Sequence, residues 1–307
     1  MNIDHFKEII LEEQAFWLNV SQYPNTTMRD IPFLARLMAE RYVDIGLTTL
    51  DKFGDPRTSR WPLMQNPIPT FLIVLLYLYV VLWLGPRLMA NRKPFKLKEI
   101  LFFYNGAQVL FSLYMFYEHF ASGWFWDYSY KCQPVDYSNS DKAVRMARLC
   151  WIYYFSKLTE FADTIFFIMR KKDSQITFLH VYHHSLTPLE TWFLTKFIPG
   201  GHGTLQNLIN NFVHAVLYLY YMVAGMGPQY QKYLWWKKHL TTLQLVQFMI
   251  VFVHASQLLY NDCGYPRFMG PLMICNSVIF FGLFSNFYYQ TFIRNKKQPV
   301  QKTLKAD

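Results

Sequence analysis

Long apolar stretches without a single Asp, Glu, Lys or Arg alternate along this chain with short polar, basic stretches. The uncharged stretches are residues 65–86, 100–117, 197–231, 240–261 and 268–293. Most of them approach or exceed the roughly 20 residues that an α-helix needs to cross the hydrocarbon of a bilayer. Two more stretches, 149–169 and 176–197, are hydrophobic but contain ionisable residues. The pattern predicts an all-α polytopic membrane protein with seven transmembrane helices.

The same pattern divides the chain into three parts. Residues 1–66 form a polar segment, 67–293 the seven-helix domain, and 294–307 a short basic tail. Pro67 and Pro69 stand at one end of the first apolar stretch and Pro86 at the other. We expect them to bracket that helix, because proline fits the first turn of a helix but disrupts its interior.

Lys and Arg residues mark one side of the membrane. They are concentrated after the first, third, fifth and seventh predicted helices, whereas the other loops hold few. Because cytosolic loops are enriched in Lys and Arg, this alternation predicts a cytosolic C-terminus and a lumenal N-terminus. The sequons beginning at Asn19 and Asn25 fit glycosylation on the lumenal side.

Composition supports the membrane assignment, since 52% of the 307 residues are hydrophobic and only 16% are charged. The formal net charge of +10 is then mainly a signal of orientation. Nucleic-acid binding is the weaker interpretation of that charge, and we expect no nucleic-acid partner.

The four cysteines fall into two pairs by predicted topology. Cys132 and Cys263 lie in lumenal loops, whereas Cys150 and Cys275 lie within helices. An oxidising lumen makes Cys132 and Cys263 a candidate disulfide, with two free thiols as the alternative. We expect Cys150 and Cys275 to act as small apolar packing residues.

Polar side chains interrupt four of the predicted helices. They are Lys157, Glu160 and Asp163 in the third, His180, His183 and His184 in the fourth, Asn210 and His214 in the fifth, and Gln244 and Gln247 in the sixth. At 1.5 Å of rise per residue, those of the third, fourth and sixth helices lie roughly 9 to 20 Å from the basic boundaries. Polar groups at one depth on separate helices predict a buried pocket that is reached from the cytosol.

Each cluster also has a structural alternative. Lys157, Glu160 and Asp163 are three residues apart, so they could only neutralise one another on one helix face. The side chains of the fifth and sixth helices could serve as hydrogen bonds between helices. We favour a substrate-facing role for the charged cluster, because an ion pair alone does not explain its presence in a membrane span.

The run His180-Val181-Tyr182-His183-His184 is the densest cluster. Positions i, i+3 and i+4 of an α-helix share a face, so the three rings point the same way. Two interpretations are a metal site and covalent or acid–base catalysis. A membrane iron-dependent desaturase or hydroxylase gathers about eight histidines from several such boxes, and this chain has nine histidines but one box. A non-enzymatic lipid carrier is the third alternative.

Four segments resemble the signatures of one family, the ELO fatty acid elongases, which are very-long-chain 3-oxoacyl-CoA synthases of the endoplasmic reticulum. The segments are Lys157-x-x-Glu160-x-x-Asp163-Thr164, His180-x-x-His183-His184, His214-x-x-Leu217-Tyr218-x-Tyr220-Tyr221 and Thr241-x-x-Gln244-x-x-Gln247. The resemblance covers the chain from Asp55 onward. The third segment has Leu where the family usually has Met, which is nearly volume-conserving.

The resemblance implies that helices two to seven form a barrel around a substrate tunnel, open to the cytosol and closed toward the lumen, with a disulfide between Cys132 and Cys263. The implied reaction is decarboxylative condensation of malonyl-CoA with a long-chain acyl-CoA, giving a 3-oxoacyl-CoA two carbons longer. It uses CoA thioesters as substrates, and we expect no cofactor and no metal. The implied partners are these substrates, membrane lipid and the other elongation-cycle enzymes of the same membrane, with a homodimer left open.

The resemblance also implies roles for His183 and His214, and side-chain chemistry suggests roles for the residues around them. His183 would accept the acyl group, since imidazole is a competent acyl acceptor, and His214 would position malonyl-CoA or stabilise its enolate. The amides of Asn210, Gln244 and Gln247 could donate hydrogen bonds to developing oxyanions. His180, His184 and Asp163 would orient the reacting rings. A basic rim suited to the phosphates of CoA comprises Arg170, Lys171, Lys172, Lys237 and Lys238, although orientation in the membrane alone would also explain these charges.

Overall fold

A computed structural model describes residue 50 and residues 52–294 of the chain. The sequons at Asn19 and Asn25 and nearly all of the basic tail lie outside the described residues. The described secondary structure is helical, which confirms the predicted all-α class. The helices are α1 (Ile68–Met89), α2 (Lys98–Trp124), α3 (Asp141–Thr159), α4 (Phe161–Met169), α5 (Phe178–Phe197), α6 (Thr204–Gly225), α7 (Lys237–Ser256) and α8 (Met269–Tyr288).

Five helical stretches in the described part are long and apolar enough to cross a membrane. They are Ile68–Met89, Lys98–Trp124, Gly201–Gly225, Lys237–Leu259 and Met269–Arg294. Large apolar side chains on their outer faces are open to the surroundings, as with Phe103 and Leu110, which are 73% and 71% exposed. Such faces suit contact with lipid rather than water. The chain is therefore a multi-pass membrane protein, and seven spans remain a prediction for the stretches that hold α3, α4 and α5.

α1 continues past Pro86 instead of ending there. Its backbone widens into a π-helical turn at Val80–Leu84 and then resumes as an α-helix over Gly85–Met89. A π-turn inserts an extra residue into the hydrogen-bond ladder, and such local adjustments accommodate a proline within a membrane helix. The expectation that Pro86 closes the first helix was therefore wrong by three residues.

The third predicted helix is interrupted at Glu160, where α3 ends and α4 begins. Two hydroxyl groups explain the interruption, because Ser156 Oγ donates to the carbonyl oxygen of Tyr153 and Thr159 Oγ1 to that of Ser156. Side-chain bonds of this kind compete with the backbone ladder and bend helices. Glu160 therefore lies at a junction between two helices, and its side chain is buried.

Each long helix packs along at least one neighbouring helix. α2 lies along α6, α7 along α8, and α3 along α5, while α6 also contacts α7 and α1 packs against α5. Side chains join α5 to α8, since the ring of His183 lies 5.2 Å from the ring of Phe280 and Asn276 donates a hydrogen bond to Glu190. Polar side chains of α3, α5 and α6 therefore face the interior of one bundle.

Four connecting segments meet at one end of this bundle, which we call the disulfide end. Cys132 and Cys263 are joined there by a disulfide, with Cα atoms 5.9 Å apart. Arg57 donates to the carbonyl oxygens of Asp136 and Ser138, and Trp192 donates to that of Leu63. Residues 53–66, the last part of the predicted lumenal segment, thus pack onto the bundle itself.

The opposite end, which we call the basic end, is formed by the connections between α1 and α2, between α4 and α5, and between α6 and α7. The amide of Phe95 donates to the carbonyl oxygen of Met169, and Nζ of Lys171 donates to that of Ala90. These bonds hold the first two connections together. Lys238 Nζ lies 5.6 Å from the ring of Tyr288, which brings the start of α7 to the end of α8.

Candidate functional site

A buried ion pair lies at the junction of α3 and α4. Lys157 Nζ donates to Glu160 Oε1 at 2.7 Å, and both side chains are almost completely shielded. Two charges removed from water require good geometry and further hydrogen bonds to be tolerated. The sequence-based alternative that these residues neutralise each other is therefore part of the arrangement, but the pair also contacts other helices.

His214 of α6 extends the pair. Its Nδ1 lies 3.3 Å from Glu160 Oε1, while Nδ1 of His184 lies 4.0 Å from Glu160 Oε2. A ring nitrogen that donates to a carboxylate leaves the other nitrogen of the neutral ring with its lone pair. Glu160 Oε1 thus faces Nδ1 of His214, which leaves Nε2 on the other side of the ring.

Asn210 is held by two donors from α3. Its Oδ1 accepts hydrogen bonds from Lys157 Nζ at 2.9 Å and from the Tyr153 hydroxyl at 2.7 Å. Because both lone-pair directions of the oxygen are occupied, the orientation of the amide is fixed. Its Nδ2 group, which carries two N–H donors, is thereby kept available for another acceptor. Tyr153 has no mark in the sequence that sets it apart from other aromatic residues of the spans.

The histidine box forms one continuous face on α5, as its spacing predicts. The ring of His184 lies 4.3 Å from that of His180 and 5.2 Å from that of His183. Nε2 of His180 is hydrogen-bonded to the Thr164 hydroxyl at 2.7 Å, and Thr164 is bonded in turn to the Tyr77 hydroxyl at 3.0 Å. α1, α4 and α5 are thus connected through one polar chain.

Asp163 lies one turn beyond Glu160 and contacts α6 rather than the histidine box. Its Oδ2 accepts a hydrogen bond from the Tyr218 hydroxyl at 2.8 Å. Tyr218 belongs to the third signature segment, so the pairing joins two segments that the sequence keeps 55 residues apart. The described hydrogen bond of Asp163 therefore joins α4 to α6.

A cavity opens between the helices next to these groups. Its walls are Tyr153, Lys157, His183, Thr187, Glu190, Gln206, Asn210, Gln247, Phe248, Val251, Asn276, Ser277 and Phe280. The space open to water-sized atoms is about 30 Å³, enough for a water molecule. His183 and Asn210 therefore face a common space, and we call it the central cavity.

The sixth predicted helix contributes only part of its polar pair to this space. Gln247 is buried and lines the central cavity, and its Oε1 has no hydrogen-bond partner among the residues that the structure describes. Gln244 lies one turn nearer the basic end, is half-buried, and is outside the cavity lining. Glu190, Gln206 and Asn276 also line the cavity, and sequence analysis assigned them no role. Only Glu190 carried a signal, which is a charge within a hydrophobic stretch.

The predicted basic rim lies on two connections of the basic end. Arg170 caps the end of α4, and Lys171 and Lys172 follow it directly, while Lys237 and Lys238 begin α7. Four of the five are exposed, and Arg170 is half-buried. Their position suits contact with an anion arriving at this end.

The fold and the site together define a multi-pass membrane protein that encloses a cluster of titratable side chains between its helices. Residues 62–300 match the ELO family, described as the GNS1/SUR4 family, and the chain belongs to it. The resemblance inferred from the four signature segments is thus confirmed.

Several relatives carry the same description. A very long chain fatty acid elongase of Aedes aegypti is 53% identical over 84% of this chain and 72% of its own length. Very long chain fatty acid elongase 7 of Rattus norvegicus is 52% identical over 81% of this chain and 89% of its own length. Very long chain fatty acid elongase 1 of Homo sapiens is 48% identical over 81% and 90%.

The family decides between the alternatives left open by the histidine box. A fatty acid elongase is confirmed over an iron-dependent oxygenase and over a lipid carrier. Within residues 52–294, no group of three or more His, Cys, Asp or Glu side chains is placed to hold a metal ion.

Proposed function

We propose that this chain, a very long chain fatty acid elongase, condenses its substrates through a covalent acyl group on His183. As an elongase it is the condensing acyltransferase of fatty acid elongation. The proposed substrates are a long-chain acyl-CoA and malonyl-CoA, and the products are CO2, free CoA and a 3-oxoacyl-CoA two carbons longer. The observation that supports the mechanism is that His183, Asn210 and Lys157 line one cavity.

The reaction proceeds in two half-reactions. A ring nitrogen of neutral His183 attacks the thioester carbonyl, the C–N bond forms, the C–S bond breaks, and the CoA sulfur leaves with the ring proton. Malonyl-CoA then loses CO2, and the electron pair stays on its α-carbon as an enolate. That carbon attacks the acyl carbonyl, the C–C bond forms, the C–N bond breaks, and the ring takes up a proton from water. Splitting the reaction in this way replaces one difficult step by two easier ones.

The fixed amide of Asn210 supplies the electrostatic part of the mechanism. Its Nδ2 donors are the groups that we assign to the oxyanion formed when the acyl carbonyl is attacked, because pre-oriented donors need no reorganisation during reaction. His214, oriented by Glu160, lies one helical turn further along α6 and would hold the malonyl group or its enolate. Gln247, with a free buried Oε1, adds a further polar group to the same wall.

We further propose that α2 to α8 close a barrel around the substrate. The order α2, α6, α7, α8, α5, α3 returns to α2, and α1 lies outside it against α5. Backbone packing makes each step of this order except the one from α8 to α5, which side chains make, and the order supports a ring. A second cavity lies toward the disulfide end and shares Tyr153 with the central cavity. The acyl tail would run from the central cavity toward this second cavity, while CoA would remain at the basic rim.

The proposed location is the membrane of the endoplasmic reticulum, with the disulfide end lumenal and the basic end cytosolic. The product still carries a 3-oxo group, so a reductase must act on it next, which is consistent with other elongation-cycle enzymes of that membrane as partners. A homodimer stays an open prediction.

The test is a mass measurement on the purified protein. After incubation with stearoyl-CoA alone, we expect an acyl adduct on the peptide that contains His183, and its loss together with CO2 release when malonyl-CoA is added. His183→Ala should abolish both signals. The matched control is His239→Ala, which removes an exposed histidine of α7 and should leave both intact. An acyl group found only on cysteine would refute the mechanism.

A further inference from the structure

Glu190 places a carboxyl group inside the bundle. It follows His183 by seven residues on α5, which is two helical turns, so both side chains project from the same face. Both also line the central cavity. An ionisable side chain within a membrane span is costly and marks a functional position unless a strong partner explains it.

The described partner of Glu190 is a weak one. Asn276 Nδ2 of α8 donates to Glu190 Oε2 at 3.3 Å, which is at the long end for a hydrogen bond. This bond uses one of the two carboxyl oxygens. A hydrogen bond of this length offsets too little of the cost of burying a carboxyl group to explain why one is present at this depth.

Further polar groups surround the carboxyl group on the cavity wall. Gln206 of α6, Gln247 of α7 and Ser277 of α8 line the same space. Gln247 Oε1 is buried there, and no described residue forms a hydrogen bond with it. Val251 and Phe280 provide apolar surface between them. Ligand sites commonly have this composition, with apolar walls and a few convergent polar groups.

We propose that Glu190, Asn276 and Gln247 form a polar subsite for a hydroxyl group carried in the middle of the acyl chain. This inference rests on the proposed function, because it takes the acyl group to be attached at His183 and to run along the central cavity. It assigns hydroxyacyl-CoA thioesters to this chain as a substrate class. Unsubstituted fatty acyl-CoA thioesters do not belong to that class.

The depth of the subsite specifies where the hydroxyl group should be. Seven residues of α-helix correspond to about 10 Å, which an extended hydrocarbon chain spans with roughly eight carbon–carbon bonds at standard bond lengths. An acyl carbonyl held at His183 therefore brings carbons 8 to 10 next to Glu190.

Hydrogen-bond accounting explains the selectivity. A plain methylene chain displaces water from the carboxyl and amide groups but forms no hydrogen bond with them. These buried polar groups are then left unsatisfied. A hydroxyl group at the matching depth donates to Glu190 or Gln247 and accepts from Asn276. Sites that hydrogen-bond a substrate hydroxyl discriminate strongly against analogues that lack it.

The experiment compares kcat/KM for four substrates on the wild-type protein: stearoyl-CoA and its derivatives hydroxylated at carbon 4, 10 or 17. We expect the 10-hydroxy substrate to be used better than the other two hydroxylated chains by about tenfold or more. Equal use of the three positions would overturn the inference, and this comparison requires no variant. Failure of stearoyl-CoA itself to be condensed would instead refute the proposed function.

Variants then test the side chains. In Glu190→Leu and in Asn276→Leu, the ratio of kcat/KM for 10-hydroxystearoyl-CoA to that for stearoyl-CoA should fall about tenfold or more. The matched control is Asn286→Leu, on the exposed side of α8, which should leave the ratio unchanged. An unchanged ratio in either subsite variant that folds would also overturn the inference.

Discussion

Glu160 Oε1 lies 3.3 Å from Nδ1 of His214, and the same oxygen receives the hydrogen bond of Lys157. One carboxylate thus joins a cation of α3 to a ring of α6. The arrangement places a carboxylate oxygen beside Nδ1 of His214, which favours a proton on that nitrogen, and compensates the buried charge of Lys157 at the same time.

Glu160→Gln should therefore affect both chemistry and stability. The amide cannot neutralise Lys157 and can hold His214 in either tautomer, so we expect kcat to fall by about a hundredfold or more. Leaving Lys157 without its counter-charge should cost about 3 kcal/mol of unfolding free energy. Condensation assays and thermal unfolding in detergent measure the two effects. Glu118→Gln, which removes a peripheral pair with Arg145, serves as the control and should change either quantity little.

Asn210 and Tyr153 should give graded effects on catalysis. Asn210→Ala removes the proposed oxyanion donors, so kcat should fall about a hundredfold. Tyr153→Phe removes only one of the two bonds that orient the amide, so the loss should be about fivefold. Single-turnover rates of acyl transfer from stearoyl-CoA provide the measurement. Equal losses in the two variants, or a larger loss in Tyr153→Phe, would contradict the assignment of Asn210.

The disulfide between Cys132 and Cys263 should stabilise the bundle without serving the chemistry. It closes a sequence separation of 131 residues, and its removal should cost about 2 to 4 kcal/mol. We expect a lower unfolding temperature for the double variant Cys132→Ser, Cys263→Ser, and the same decrease for the wild-type protein under reducing agent. The reducing agent should leave the double variant unchanged, and a further decrease there would show that another group responds.

Gly85 should be intolerant of a side chain. A Cβ atom at this position would lie 2.8 Å from the carbonyl oxygen of Val80 and 3.1 Å from the side chain of Ile168. Gly85→Ala should therefore destabilise the protein by about 1 to 3 kcal/mol. Gly282→Ala is the matched control, because nothing lies within 4 Å of a Cβ atom there, and it should be neutral or slightly stabilising. Thermal unfolding of the two variants gives the comparison.

Hydrophobic patterning predicted the helices well because a span in lipid must satisfy its backbone internally and expose apolar side chains. The spacing of the histidine box predicted its common face for the same geometric reason. The interruption at Glu160 was missed, since it depends on whether the hydroxyl groups of Ser156 and Thr159 turn back to the backbone. The amino-acid sequence does not show whether these hydroxyl groups bond to backbone carbonyl oxygens or to other groups.

The members of the site were harder to predict than its depth. Counting from the basic boundaries placed Lys157, Glu160 and the histidine box at comparable depths, but the count does not say which way a side chain points. Gln244 and Gln247 show this. They are three residues apart on α7 and therefore point in different directions, and only Gln247 lies on the cavity wall. Tyr153 and Asn276 could be recognised only from neighbours that are distant along the chain.

The position of the disulfide along the chain has a consequence for how the protein is made. Its first sulfur belongs to the connection after α2 and its second to the connection before α8, so α3 to α7 must all have been synthesised before the bond can close. Oxidation of this pair is thus a late event in biogenesis. Its formation reports that most of the bundle has been inserted, and a truncated product ending before residue 263 could never acquire it.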